Sequence, residues 1–79
     1  MDVRTPSEYR NGHIEGSVNF PLDRIMDVAD AIGDKDTPIF VYCHSGARSA
    51  QATTLLNRMG YKNVRNIGGI VNYKEKVVN

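Results

Sequence analysis

One cysteine stands where this chain could do covalent chemistry. Cys43 ends the apolar, β-rich run Ile39-Phe40-Val41-Tyr42-Cys43 and is followed at once by His44-Ser45-Gly46-Ala47-Arg48-Ser49. That order predicts a buried strand, a tight polar loop and a helix beginning near Ser49. Chemistry in open α/β sheets gathers at the carboxyl ends of strands, where Cys43 sits. Backbone N–H groups of the loop and the helix N-terminus would point inward at the sulfur, favouring the anion and lowering the thiol pKa. Arg48 adds a permanent positive charge. No acidic residue lies between Asp36 and Glu75 to oppose it. The pattern predicts a thiolate in a cationic cradle, suited to attack on an anionic substrate.

Each candidate has a plainer reading. A lone cysteine is most often a small buried hydrophobe, but the six residues after Cys43 are too polar and too tightly spaced to be core. His44 could tune the thiol, although neighbours in sequence need not face the same way. His13 reads as a structural histidine satisfied by backbone or carboxylate. Asp2 and Arg4 either brace the loop from below or pair within a group that includes Glu8 and His13. A metal site from Cys43, His44 and His13 has no recognised ligand spacing. Tyr9, Tyr42, Tyr61 and Tyr73 read as half-buried rings with surface hydroxyls.

The elements around the cysteine are well punctuated. Asp2-Val3-Arg4 looks like the tail of a strand. Thr5 and Glu8 have capping-box spacing with Pro6 at the first helical position, and Gly12 should end that short helix. Ser17 to Phe20 is a short strand candidate stopped by Pro21. From Leu22, the residues Ile25, Val28, Ala29 and Ile32 follow helical spacing up to Gly33. After the loop, Ala52, Leu55, Leu56 and Met59 mark one helix face closed by Gly60. Val64 to Ile67 is a last strand, Gly68-Gly69 a turn, and Ile70 to Val77 a short helix. Strands alternating with helices through short loops predict an α/β domain: a parallel sheet of about four strands with helices on both faces, spanning residues 1–79.

Composition excludes several classes. With 10 Lys and Arg against 9 Asp and Glu, the formal charge of +1 gives no electrostatic case for a nucleic-acid or membrane-surface partner. A single cysteine cannot form an internal disulfide. At 41% hydrophobic and 24% charged, the 79 residues read as a globular chain. No apolar run approaches the roughly 20 residues of a membrane span. The start MDVRTPSEYR carries no signal-peptide pattern. Cytoplasm is the expected location; a periplasmic chain whose signal was removed ahead of residue 1 would read the same.

The segment from Cys43 to Ser49 resembles the active-site loop of the rhodanese sulfurtransferase family. Asp2-Val3-Arg4 with Glu8-Tyr9 resembles that family's opening. Gly12-His13-Ile14 with Gly16, Asn19 and Pro21 resembles its second motif. Gly60-Tyr61 with Val64, then Gly68-Gly69, resemble the segments beyond the active-site helix. The chain is most similar to the short, single-domain members of the phage shock protein E type. The resemblance implies that Cys43 takes the outer sulfur of thiosulfate or a persulfide and becomes a persulfide itself. A thiol, small or on a protein, or cyanide then removes that sulfur. His44, Ser45, Gly46, Ala47, Arg48 and Ser49 would bind substrate, Arg48 at the donor's sulfonate, with Asp2 and Arg4 in support. No metal or organic cofactor is implied. Six residues from Cys43 through Arg48 are one fewer than in related phosphatases, which disfavours a tetrahedral phosphate. The remaining alternative is a non-catalytic module that senses redox state or docks a partner. Only Met1 precedes the opening motif, so the first strand is expected to be abbreviated, and Tyr73 stands where the family often has Trp.

Overall fold

Burial of Ile39, Val41, Tyr42 and Cys43, each at most 4% exposed, makes the strand Ile39–Cys43 (β2) the spine of the structure. The computed structural model describes residues 1–73 and 76–79. β2 pairs in parallel with Val64–Gly69 (β3), Ile39 opposite Val64 and Cys43 opposite Gly69. Between the α-helix Pro6–Arg10 (α1) and β2 lie the two-residue strand His13–Ile14 (β1), a 3-10 segment Leu22–Asp27 and the one-turn helix Val28–Ala31 (α2). The α-helix Ala47–Arg58 (α3) links β2 to β3. A 3-10 turn at Ile70–Asn72 and the strand Val77–Val78 (β4) follow.

The sheet extends past β2 on its other side. Tyr42 N–H donates to Met1 O and Val3 N–H to Tyr42 O, both at 3.0 Å. Asp2 N–H donates to Val18 O and Phe20 N–H to Asp2 O. Four extended segments therefore lie side by side and parallel. The two nearest the N-terminus are reduced to bridges at Asp2 and Asn19. This is the expected small α/β architecture with an abbreviated first strand.

The core forms where α3 crosses the sheet: Ala52 and Leu56 meet Val3, Ile25, Val28, Ile39, Val41 and Tyr61. Ser49, Ala52 and Leu56 recur at three and four residues, so one helical face is buried and the rest is wet. Phe40, the second residue of β2, is 53% exposed, while Tyr42 on the same face is buried, so the strand is covered on both faces except at Phe40.

Three local expectations need correcting. The segment from Leu22 is a 3-10 helix interrupted at Arg24 (φ −119°, ψ 19°) before α2 begins. Ile25 within it and Val28 at the start of α2 are buried three residues apart, which suits the tighter 3-10 period. Of the helix expected from Ile70 to Val77, the described residues show only the 3-10 turn Ile70–Asn72, and Val77 lies in a strand. β-Branched Val71, Val77 and Val78 are poor helix formers, and β4 pairs antiparallel with β1, Ile14 opposite Val77. Lys74 and Glu75 lie outside the described residues. Nor are the tyrosine hydroxyls all at the surface. Tyr42 and Tyr61 are buried, and the Tyr61 hydroxyl donates to the carbonyls of Val28 and Ile32. The Tyr42 oxygen accepts Ile14 N–H at 3.0 Å and meets Ser17 Oγ at 2.9 Å. A buried hydroxyl without a partner is costly, and these rings sit where backbone supplies one.

Candidate active site

β2 delivers Cys43 to the floor of its loop, where the residue is 1% exposed. The loop turns back over it because Gly46 adopts φ +108°, a left-handed conformation that favours glycine. That turn aims Gly46 N–H at Sγ, 3.0 Å away. α3 begins at Ala47, two residues earlier than expected, and its first turn carries Ser49 beneath the sulfur side of the loop. Ser49 is fully buried. Burial is the largest influence on the Cys43 thiol and pushes its pKa up. The Ser49 hydroxyl and the backbone N–H groups of Ser49, Gly46 and Ser45 together outweigh it, so the pKa falls below its ordinary value. The side chains of His44, Ser45 and Ala47 face outward. What these residues contribute to the cradle is backbone.

A bracket that the sequence did not announce holds the loop from the β3 side. Asn66 Oδ1 accepts from Ser49 Oγ at 2.7 Å and from Gly68 N–H at 2.8 Å. Its Nδ2 reaches toward Gly46 O at 3.4 Å. The strand pairing slips between Val41 and Tyr42, so Asn66 lies opposite Val41 while Gly68 lies opposite Tyr42. Ile67 is the extra residue of a bulge, a device that re-aims a strand next to a site. Asn within a strand, just ahead of a Gly-Gly pair, was the available signal.

The charged residues are arranged differently from the sequence expectation. Arg48 Nη1 donates to Glu8 Oε1 at 2.7 Å and Nη2 to Glu8 Oε2 at 2.9 Å, a two-pronged ion pair between α3 and α1. Glu8 Oε1 also accepts Thr5 N–H at 3.0 Å, completing the predicted capping box. The Arg48 contact is the chief reason that the Glu8 carboxyl is pulled down to about 2. Its unshifted value is 4.5, so the pair is intact at neutral pH and breaks only as pH falls toward 2. An acidic group therefore does face Arg48, brought from 40 residues away.

Asp2 and Arg4 pair with each other. Arg4 Nη2 and Asp2 Oδ2 are 2.7 Å apart, and both residues are buried. Arg4 Nη2 also donates to Gly12 O at 2.6 Å. The pair lies in the strand beside β2; no contact with the cysteine loop is among their hydrogen bonds within the described residues. His13 stacks on Tyr9 with ring centroids 3.7 Å apart, and its Nδ1 lies 2.8 Å from Tyr9 O, the structural role expected of it. Among the described residues no cluster of His, Cys, Asp or Glu could hold a metal ion.

The cradle can do one thing well: stabilise a sulfur anion on Cys43. That property has a direct readout, because Cys43 is the only thiol. The rate of iodoacetamide alkylation against pH is expected to inflect below the free-cysteine value of about 8.5. An inflection at or above that value would mean that the loop N–H groups do not converge on the sulfur in the resting protein.

A parallel α/β sheet whose buried strand ends in a short cysteine loop ahead of a helix is the architecture of rhodanese-like domains, and the chain belongs to that family. Residues 1–76 match the family described as Rhodanese-like domain. The chain is 41% identical over 71 residues to the thiosulfate sulfurtransferase PspE of Escherichia coli, covering 89% of this chain and 68% of that one. It is 39% identical over 82 residues to thiosulfate sulfurtransferase 18 of Arabidopsis thaliana, covering 87% of this chain and 60% of that one. A solved E. coli structure described as a rhodanese with anions superposes with a TM-score of 0.90 at 38% identity, over 98% of this chain and 92% of that one. The rhodanese resemblance of the sequence is thus shown, as is the fold.

Proposed function

We propose that the chain is a sulfurtransferase that carries a sulfane sulfur as a persulfide on Cys43. The observation that carries this reading is the buried sulfur with Gly46 N–H 3.0 Å from it, at the head of a helix and below a loop of backbone donors. With thiosulfate, the Cys43 thiolate attacks the outer sulfur. A new S–S bond forms, the bond to the sulfonate sulfur breaks, and sulfite leaves with the electron pair. The terminal sulfur of the persulfide is itself anionic, so the donors that stabilise the thiolate also hold the product of this half-reaction. An acceptor thiolate or cyanide then attacks the terminal sulfur, and Cys43 departs as thiolate. Each half-step exchanges one nucleophile for another at a single sulfur, and these residues carry both.

Names of relatives support the transferase reading: thiosulfate sulfurtransferase in Escherichia coli and in Arabidopsis. The test is intact-protein mass spectrometry after incubation with thiosulfate or an organic persulfide. The expected result is a gain of one sulfur atom, reversed by cyanide or a thiol. A protein that takes up no sulfur from either donor would leave the docking-module reading in its place.

A further inference from the structure

Beside the cysteine loop is a cleft of about 420 Å³ whose walls are mostly carbon, from Val3, Pro6, Pro21 and Leu22. Arg4, Arg48 and Asp23 bring charge to it, and Arg48 is where it meets the loop. Both arginines are matched: Arg4 by Asp2 at 2.7 Å and Arg48 by Glu8 at 2.7 and 2.9 Å. Asp23 has no cation within ion-pair distance among the described residues. Each cation of the cleft wall is thus committed to a carboxylate beside it and Asp23 is left unmatched, at the approach to a site whose chemistry alone would suggest an anionic donor. A guanidinium held on two prongs by a carboxylate has little left to offer a sulfonate, because both charge and fork geometry are committed.

We infer that Glu8 is a positioning residue that sets the donor class by holding Arg48. With the pair closed, the approach to Cys43 favours a sulfane sulfur carried on an organic thiol over a small inorganic dianion. This rests on the sulfurtransferase reading and deepens it. The favoured donor is an organic persulfide, its carbon body lying along the apolar walls. Cys43 thiolate attacks the terminal sulfur, the donor's S–S bond breaks, and the donor thiolate leaves, taking up the persulfide's proton.

Glu8→Gln separates this role from the capping box, since Gln accepts Thr5 N–H as Glu does but carries no charge. Two probes of similar size report on Cys43: iodoacetate, which is anionic, and iodoacetamide, which is neutral. Glu8→Gln is expected to raise the iodoacetate-to-iodoacetamide rate ratio by about three- to tenfold, the effect of one partly screened charge. It should shift kcat/KM toward thiosulfate relative to an organic persulfide. The double variant Glu8→Gln with Arg48→Ala, which removes both charges, should return to about the wild-type ratio. Arg48→Ala alone, which leaves Glu8 without its partner, should lower the ratio. Circular dichroism establishes that each variant is folded. An unchanged ratio in Glu8→Gln, a double variant with a ratio as high as that of Glu8→Gln alone, or an unchanged ratio in Arg48→Ala would each overturn the assignment. Alkylation needs no sulfur transfer, so the ratio judges Glu8 independently of the mass gain that judges the sulfurtransferase reading.

Discussion

Cys43→Ser is expected to remain folded and to reduce sulfur transfer from thiosulfate to cyanide to the rate without protein. The swap is nearly isosteric, and the site already supplies what a buried hydroxyl needs: Gly46 N–H, 3.0 Å from the sulfur it replaces, becomes its donor. The chemistry does not survive the exchange. A serine hydroxyl stays protonated under conditions where the cradle ionises a thiol, and no persulfide can form on oxygen. Ser45 lies in the same loop but faces outward, and the buried Ser49 hydroxyl is engaged by Asn66 Oδ1, so neither is a substitute nucleophile. The measurement is a thiosulfate–cyanide assay beside thermal unfolding. If the serine variant keeps most of its activity, the covalent route proposed for this site is wrong. If activity is lost together with the fold, Cys43→Ala separates the two effects, since it removes the nucleophile and leaves no polar group to satisfy.

The parts of the site that were legible in the sequence are the parts made by neighbours along the chain. The run Ile39 to Cys43, the glycine at position 46 and the polar loop announced a strand, a turn and a helix start. Thr5 and Glu8 announced a capping box, and it is present. The pairings that cross the fold were not legible. Glu8 reaches Arg48 across 40 residues, and nothing in the periodicity of either helix records that α1 packs beside the start of α3. The sequence made Arg48 a free cation because no acidic neighbour was near it in the chain; the fold supplied one. Asn66 looked like an ordinary polar residue near a turn, whereas the bulge at Ile67 turns it into the bracket for Ser49 and Gly68. β1 and β4 are two residues each, too short for any alternation to show, and exist only as each other's partners. Tyr42 and Tyr61 were placed by composition habits, but their hydroxyls are directed by carbonyl and amide groups that only the tertiary structure brings to them.

Gly69→Ala is expected to disable the site from beneath while adding only a methyl group. Gly69 ends β3 opposite Cys43 and is buried, with ordinary backbone angles (φ −110°, ψ 146°), so the restriction is space and not conformation. A Cβ there would run into the carbonyl oxygen of His44, and would lie 2.6 Å from Ser45 Cα and 2.8 Å from His44 C. All three are backbone atoms, which have no rotamer to retreat into. Either the loop lifts off β3 or the pairing of Cys43 with Gly69 opens, and both move the N–H groups that converge on the sulfur. Overpacking of this kind costs about 1–3 kcal/mol, a large fraction of the stability of a chain this small. Sulfur transfer should fall by more than the stability loss accounts for, and the alkylation inflection of Cys43 should rise toward the free-thiol value. Gly33→Ala is the control, because a Cβ at Gly33 meets nothing within 4 Å. A Gly69→Ala protein with unchanged unfolding midpoint and unchanged thiol inflection would show that the loop does not rest on β3. The cradle would then be held by α3 alone, through Ser49 and the Ala50 N–H bond to Gly46 O at 3.1 Å.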